Sequence, residues 1–319
     1  MILVTGASGF VGGAILAKGC NIALPLRAAV RRQTVALPPS VEMIMVNGLA
    51  ADTDWCRALQ GVEVVVHAAA RVHVMQDSAS DPLAEFRRVN VAGTLSLARQ
   101  AAQAGVRRFV FISSIKVNGM ETPQGQPFTA DDLPTPVDAY GISKFEAEEG
   151  LKKISKETGI EFVIIRPPLV YGPGVKGNFL SMIRWLQSGI PLPLGAIHNR
   201  RSLVALDNLV DLIMTCIWHP NAANQIFLVS DGEDTSTTEL LRRTSVALGK
   251  LVFLLPVSEV LLCKTLSILG KASYAQRLCG SLQVDIVKTC EMLSWSPVVD
   301  MDAALVGTVQ CIQEELHSL

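Results

Sequence analysis

The chain has 319 residues, of which 49% are hydrophobic and 18% charged, so it is long enough to bury a large core and too apolar to be disordered. Its 28 basic and 29 acidic residues give a formal net charge of −1 and form no long run of one sign, which argues against a nucleic-acid partner. Seven scattered cysteines without a Cys-x-x-Cys pair, and five histidines without a cluster, predict reduced thiols and no metal site.

The first predicted strand, at residues 2–4, runs directly into a turn that carries Gly6, Gly9 and Gly12. A helix is predicted immediately after it. Glycine at this spacing lets the backbone N–H groups of a helix N-terminus approach a phosphate, so the turn predicts a dinucleotide site. Because this strand begins at residue 2, we expect no signal peptide and a cytoplasmic location.

Strands and helices then alternate along the chain, which predicts a parallel sheet with helices on both faces. The predicted strands lie at 23–30, 41–46, 62–67, 108–113 and 161–166, and the predicted long helices at 81–104 and 140–158. Beyond residue 168 this alternation weakens in a stretch rich in glycine and proline, and a helix at 203–218 and a strand at 226–229 are expected to return to the first sheet.

The order of elements predicts an α/β protein: a Rossmann-type doubly wound parallel sheet with a smaller C-terminal substrate-binding α/β domain. The dinucleotide-binding domain is expected to comprise residues 1–168 plus 202–230, and the substrate domain residues 169–201 plus 231–319. The most apolar late stretch, 251–269, is interrupted by proline and charged residues. It predicts a buried or membrane-surface helix, and no membrane span is expected.

Tyr140 and Lys144 are four residues apart on a predicted helix, so they lie on the same face. An unperturbed phenol has a pKa near 10, and a neighbouring ammonium is expected to lower the pKa of Tyr140 towards neutrality. Ser113 and Ser114 end a strand at the carboxyl edge of the sheet, where a hydroxyl can bond a substrate oxygen. These residue types suit carbonyl reduction or alcohol oxidation.

With these residues in place, the chain resembles the extended short-chain dehydrogenase/reductase family, in the NAD-dependent epimerase/dehydratase group that modifies nucleotide sugars. The motifs that carry the resemblance are Thr5-Gly6-x-x-Gly9-Phe10-x-Gly12, His67-Ala68-Ala69-Ala70, Asn90-Val91-x-Gly93-Thr94, Ser113-Ser114, Tyr140-x-x-x-Lys144, Arg166-Pro167 and Tyr171-Gly172-Pro173-Gly174. With Arg201 and the segment Asp207-Asn208-Leu209, they cover about two thirds of the chain in order.

The resemblance implies that Ser114 orients the substrate oxygen, Tyr140 is the acid and base, and Lys144 binds the nicotinamide ribose. It also implies substrate contacts from Ser114, Lys116, Asn178 and Arg201, the last two at a nucleoside diphosphate. The expected cofactor-binding residues are Gly6, Ser8, Gly9, Phe10, Val11, Gly12, Arg31, Arg32, Leu49, Ala68, Ala69, Ala70, Asn90, Tyr140, Lys144 and Pro167. A homodimer is expected through a four-helix bundle of the two long helices.

Departures from the family pattern narrow the reaction. Nucleotide-sugar dehydratases carry an acidic pair where this chain has Ile115 and Lys116, so dehydration is not expected. Arg31 and Arg32 follow the second strand, where two cations fit a ribose 2′-phosphate, so NADP(H) is the preferred cofactor and NAD(H) remains possible. A solvated basic turn is the alternative for this pair.

The resemblance is strongest to enzymes that reduce UDP-4-keto-6-deoxy-N-acetylglucosamine to UDP-N-acetylquinovosamine for lipopolysaccharide O-antigen and other surface polysaccharides. A UDP-glucose or UDP-N-acetylglucosamine 4-epimerase with tightly held NAD is the alternative, because it would use the same three residues. A redox sensor without catalysis is a third hypothesis, but such proteins typically lose the Tyr/Lys pair that this chain keeps at Tyr140 and Lys144. Relatives that reduce steroids or flavonoids also share these residues.

Overall fold

A computed structural model of the protein describes residues 1–32, 37–72, 81–270 and 272–317, without the side chains of residues 272, 273 and 315–317. Seven parallel strands form its main sheet: β1 (Ile2–Thr5), β2 (Leu26–Val30), β3 (Glu42–Met45), β4 (Val64–His67), β5 (Arg108–Ile112), β6 (Glu161–Arg166) and β9 (Gln225–Leu228). Their spatial order is β3-β2-β1-β4-β5-β6-β9. The order reverses between β1 and β4, which is where doubly wound sheets bind ligands.

Helices cover both faces of this sheet, which explains why its central strands are continuous apolar runs and not alternating ones. The α-helices among the described residues are α1 (Phe10–Asn21), α2 (Cys56–Leu59), α3 (Pro82–Phe86), α4 (Thr94–Gln103), α5 (Ala139–Thr158), α6 (Gly177–Gln187), α7 (Leu206–Trp218), α8 (Thr237–Ala247), α9 (Glu259–Ile268), α10 (Ala272–Cys279), α11 (Val287–Leu293) and α12 (Met301–His317). All four residues of β1 are buried. The predicted Rossmann-type parallel sheet is therefore confirmed.

A second sheet of three short strands stands apart from the first: β7 (Leu169–Tyr171), β8 (Arg201–Ala205) and β10 (Asp234–Thr235). β8 lies in its middle, parallel to β7 and antiparallel to β10. The helix predicted from residue 203 therefore begins only at Leu206, because the preceding residues extend to pair with β7 and β10. α7 then returns to the main sheet and packs against α1.

The long helix predicted at 81–104 begins as expected, since the Asp81 side chain accepts a hydrogen bond from the Ala84 N–H at 3.0 Å and Pro82 occupies its first turn. It is not one regular α-helix, however. A π-helical segment, Arg87–Gly93, separates α3 from α4. None of the helices in the described part of the chain is both long enough and apolar enough to cross a membrane.

Candidate active site

The turn between β1 and α1 is built so tightly that only glycine fits two of its positions. Gly6 has φ +71°, and a β-carbon added there would lie 2.7 Å from the Ala69 nitrogen. A β-carbon on Gly12 would lie 2.1 Å from the Gly6 carbonyl oxygen. α1 can therefore begin directly against the end of β1, as the glycine spacing predicts.

The backbone N–H groups in the first turn of α1 are available to bind an anion. Its N-cap residue, Gly9, has no side chain to bond the leading N–H groups, and no acidic residue lies in the first turn. These amides of Phe10, Val11 and Gly12 have no intrahelical acceptor, and the helix dipole adds a partial positive charge. Ser8 and Gly9 are exposed beside them. This arrangement fits a pyrophosphate group.

His67 ties the end of β4 to this turn. Its Nδ1 lies 2.7 Å from Thr5 Oγ1 and its Nε2 lies 2.9 Å from Thr94 Oγ1. The Ala69 N–H in turn donates to Thr5 Oγ1 at 3.3 Å. The segment Ala68, Ala69 and Ala70 is thus held beside Gly6, at the point where the strand order reverses. All three alanines are half-buried.

Complete burial lowers the pKa of His67 to about 3, with a smaller contribution from the Lys144 charge. The folded state therefore keeps His67 neutral, whereas the unfolded chain takes up a proton below its ordinary pKa of 6.5. As the pH falls from 6.5 towards 3, we expect this residue to remove up to about 1.4 kcal/mol of stability per pH unit. Urea unfolding at a series of pH values would measure the slope.

The acid sensitivity due to His67 is obtained from the difference between the wild type and His67→Gln, which cannot take up the proton. The exposed His198 provides a matched control, since His198→Gln should keep the wild-type slope. Equal slopes for the wild type and His67→Gln would contradict the assignment.

Asn90 lies in the π-helical segment and is 1% exposed. Its side-chain Oδ1 accepts a hydrogen bond from the Arg71 backbone N–H at 2.8 Å. Its side-chain Nδ2 donates to the Arg71 backbone carbonyl at 3.0 Å and to Ser143 Oγ at 3.1 Å. Asn90 therefore positions the chain after the three alanines against α5. π-helical segments are frequent at functional sites, and this one coincides with a motif residue.

Ser114 and Tyr140 come together because α5 begins against the turn that follows β5. Ser114 caps a single 3₁₀ turn, Ile115–Val117, where its Oγ accepts from the Lys116 N–H at 3.3 Å. Asp138 caps α5 by accepting from the Gly141 N–H at 2.7 Å. A β-carbon on Gly141 would lie 2.7 Å from the Lys116 carbonyl oxygen, so this glycine permits the close approach.

The Tyr140 ring lies near two ammonium groups. Lys116 Nζ is 5.8 Å from its centroid and Lys144 Nζ is 5.9 Å from it. The Lys116 ammonium forms an ion pair with Asp138, the residue that caps the helix. Ser114, Tyr140 and Lys144 are thus brought to one edge of the sheet, together with Lys116.

Burial raises the pKa of Tyr140, and the nearby Asp138 carboxylate raises it further. The expected lowering by Lys144 is therefore wrong for the chain by itself. The reason is that Lys144 is also buried, which lowers its own pKa to about 7. Its Nζ donates to the Ile112 carbonyl at 2.7 Å and lies 4.4 Å from the Phe111 ring centroid. Near neutral pH, Tyr140 is a protonated phenol suited to donating a proton.

A buried ion pair that the sequence analysis missed supports this edge. Glu148 and Arg166 are 0% and 1% exposed and are joined at 2.5 Å. Glu148 also accepts from Ser113 Oγ at 2.5 Å, and Arg166 Nη1 donates to Asn118 Oδ1 at 2.9 Å. Glu148 follows Lys144 by one helical turn, so its spacing could have predicted that it lies on the same face of α5 as Tyr140 and Lys144. The network fixes α5, β6 and the turn after β5 relative to one another.

Comparison with known proteins agrees with this geometry. Residues 2–230 match the model of the NAD-dependent epimerase/dehydratase family. The chain belongs to this family. As a member, it is an enzyme of the extended short-chain dehydrogenase/reductase type, as the motifs predict.

A curated relative from Vibrio cholerae, named UDP-glucose 4-epimerase, is 47% identical over 317 residues, which cover 97% of this chain and 94% of that protein. Among solved structures, a Thermotoga maritima UDP-glucose 4-epimerase with UDP-glucose has a TM-score of 0.78 at 21% identity and 99% coverage of both chains. A Thermus thermophilus UDP-glucose 4-epimerase in complex with NAD has a TM-score of 0.77 at 23% identity and 98% coverage of both chains. At these identities the two structures show the fold.

The other residues that the resemblance assigns to the cofactor lie around the same edge in this family member. Leu49 packs against the π-helical segment, since a β-carbon on Gly93 would lie 2.7 Å from its Cγ. Pro167 is buried, and its carbonyl accepts from the Ile115 N–H at 3.0 Å, next to Ser114. Arg31 and Arg32 are exposed just beyond β2. Their positions are compatible with cofactor contacts, which stay predictions.

The two residues assigned to the nucleoside diphosphate lie in the second part of the fold. Asn178 is exposed in the first turn of α6. Arg201 is half-buried at the start of β8, where its Nη1 donates to the carbonyls of Arg277 and Gly280 at 3.1 and 3.0 Å. None of the described hydrogen bonds joins Asn178 to Arg201. The structure therefore anchors Arg201 and leaves Asn178 free to turn towards a ligand.

Proposed function

We propose that this enzyme epimerises a UDP-linked sugar at C4 with NAD as its cofactor. The placement of Ser114, Tyr140 and Lys144 together at the carboxyl edge of the main sheet, after β5, carries this proposal. It is supported by the 47% identity, over nearly the whole of both chains, to a Vibrio cholerae protein named UDP-glucose 4-epimerase. It is also supported by the two structural neighbours described above, UDP-glucose 4-epimerases solved with UDP-glucose and with NAD.

When bound, the nicotinamide would accept a hydride from C4 of the sugar and return it to the opposite face. The residues of this chain then handle the proton. The Tyr140 phenol must first lose its own proton; as a phenolate it then removes the proton of the 4-hydroxyl as the ketone forms, and it returns that proton as the new C4–H bond forms. The Ser114 hydroxyl donates a hydrogen bond to the same sugar oxygen, and Lys144 holds a positive charge near the phenolate. Arg201 suits the diphosphate because its guanidinium is permanently charged.

The test of this proposal is an assay of the purified protein with UDP-glucose and, separately, with UDP-N-acetylglucosamine, followed by chromatography or NMR of the sugar nucleotide. Epimerisation predicts conversion to the galacto isomer without net consumption of cofactor, because the hydride is returned. The proposal would be contradicted if the protein converted neither substrate but oxidised NADPH in proportion to an added UDP-4-keto sugar.

Reduction of UDP-4-keto-6-deoxy-N-acetylglucosamine is the second candidate, and two observations favour it. Arg31 and Arg32 are both exposed at the end of β2, where they suit a 2′-phosphate. Tyr140 is held as a protonated phenol, and a ketone reductase needs a proton donor. A reductase would consume one NADPH per turnover, which separates it from an epimerase.

The cofactor preference is tested by binding NADPH and NADH to the wild type and to the double variant Arg31→Ala/Arg32→Ala. If the two guanidinium groups bind the 2′-phosphate, we expect about 10- to 100-fold weaker NADPH binding and unchanged NADH binding, since hydrogen bonds to charged groups contribute about 1.5–3 kcal/mol. The matched control is Lys153→Ala, an exposed cation on α5. Equal affinity of the wild type for both cofactors would show a solvated basic turn instead.

The proposal also assigns cofactor binding to one part of the fold and substrate binding to the other. Residues 1–168 plus 202–230 are assigned to dinucleotide binding, and residues 169–201 plus 231–319 are assigned to sugar-nucleotide binding. Residues 202–205 are an exception to this division, because they lie in the small sheet. A homodimer through a four-helix bundle of residues 82–104 and 140–158 stays a prediction, as does a role in surface polysaccharide synthesis.

A further inference from the structure

Residues 251–268, in the second part of the fold, carry several exposed large apolar side chains. This group begins in residues 251–255, an extended segment whose Phe253 carbonyl accepts from the Leu192 N–H at 2.9 Å and whose Leu255 N–H donates to the Leu192 carbonyl at 2.8 Å. Side chains alternate in such a segment. Val252 and Leu254 pack into the core, while Leu251 and Phe253 are 94% and 71% exposed.

The following helix, α9, continues this group. Only Leu262 of its residues is buried, whereas Val260, Leu261 and Ile268 are 65%, 57% and 85% exposed. α9 packs against α10. Single exposed leucines are ordinary in proteins, but a group of exposed large apolar residues within one short stretch of chain indicates a binding site for another apolar surface. Where the sequence predicts a single helix at 251–269, the structure has this extended segment followed by α9.

The charges of this region are predominantly positive. Residues 250–284 contain four basic residues and one acidic residue, although the whole chain has 28 basic and 29 acidic ones. The single carboxylate, Glu259, is engaged by the His198 N–H. Lys250, Lys264 and Arg277 are exposed, and Lys271 lies outside the described residues. An apolar surface with exposed cations is complementary to the headgroups and outer acyl region of an anionic bilayer.

The charge also argues against a second copy of this chain as the occupant, because two such surfaces would bring like charges together. We propose that the surface formed by residues 250–270 and 274–277 is a peripheral membrane-docking site that binds bilayers containing anionic lipid. This inference does not depend on which reaction the enzyme catalyses. It has a consequence for the site, because Arg201 is hydrogen-bonded to the carbonyls of Arg277 and Gly280 at the end of this surface. Docking would place the predicted diphosphate site close to the membrane.

The experiment is sedimentation of the full-length protein with phosphatidylcholine vesicles, prepared with and without phosphatidylglycerol, at low and high salt. We expect binding only to vesicles that contain phosphatidylglycerol, and we expect high salt to weaken it. The variants Leu251→Ser/Ile268→Ser and Lys250→Glu/Lys264→Glu should each bind at least about tenfold more weakly, since apolar insertion and charge both contribute.

Leu133→Ser is the matched control, because Leu133 is 86% exposed but lies outside this surface. It should bind like the wild type. Circular dichroism and thermal unfolding would establish that all variants are folded, which is expected for exposed positions. Failure of the folded wild type to bind phosphatidylglycerol vesicles, or equal binding by all variants, would overturn the proposal. Dissociation of a dimer by Leu251→Ser/Ile268→Ser with unchanged vesicle binding would also overturn it and would identify an interface between copies.

Discussion

Replacement of Tyr140 by phenylalanine is expected to lower kcat by about 10²- to 10⁴-fold, the usual contribution of a positioned general acid or base. The ring keeps its contacts with Phe86, so only the phenol proton is removed. Steady-state kinetics with the sugar nucleotide would measure the loss, and cofactor binding by the variant should remain close to that of the wild type.

Tyr274→Phe is the matched control for this variant, because it also removes one phenol from a residue that is 52% exposed on α10. It should leave kcat unchanged. If Tyr140→Phe retained full activity, neither epimerisation nor reduction could proceed through this phenol. Retention of the biological activity without measurable turnover would instead favour the sensor hypothesis.

Replacement of Gly12 by alanine is expected to abolish cofactor binding at concentrations that saturate the wild type, and to destabilise the fold by about 1–3 kcal/mol, as overpacking does. The added methyl group would lie 2.1 Å from the Gly6 carbonyl oxygen and 2.6 Å from its carbonyl carbon. Both atoms are backbone and cannot rotate away. Either α1 or the turn must move, and the amides that would hold the pyrophosphate move with them.

The neighbouring Gly13 provides a control in the same helix, because a β-carbon there would lie 3.6 Å from the Ala7 carbonyl oxygen, an ordinary contact. Gly13→Ala should bind the cofactor like the wild type and be as stable or slightly more so, since alanine has the higher helix propensity. Calorimetric titration with NAD and urea unfolding would measure both properties. Wild-type affinity in Gly12→Ala would show that this close approach does not shape the site.

The sheet and the turn after β1 were predictable because their signals are local. Ile2, Leu3 and Val4 are consecutive apolar residues that a sheet covered on both faces requires, and the glycine spacing has a steric cause that the structure reproduces at Gly6 and Gly12. The Tyr140 and Lys144 spacing is similarly local to one helix. In both cases the spacing of the residues along the chain is enough to predict which side chains lie on the same face of the element.

The small sheet was not predictable in the same way. β7, β8 and β10 are two to five residues long and come from distant parts of the chain, so no periodicity of their own distinguishes them from the loops around them. The direction of the Tyr140 pKa shift had a different obstacle. The spacing of Tyr140 and Lys144 indicates a neighbouring ammonium. The burial of the phenol and the approach of the Asp138 carboxylate, which both raise its pKa, depend on tertiary packing that this spacing does not predict.

The ion pair between Glu148 and Arg166 limits how α5 could be reused in protein design. A graft of α5 onto another scaffold would carry the Tyr140 and Lys144 pair, but it would also carry a fully buried carboxylate. Without a recipient arginine in the position of Arg166, that carboxylate would cost about 3–5 kcal/mol, as breaking a buried pair does. The transplantable unit is therefore α5 together with β6, and replacement of both charges by matched apolar residues is the alternative design.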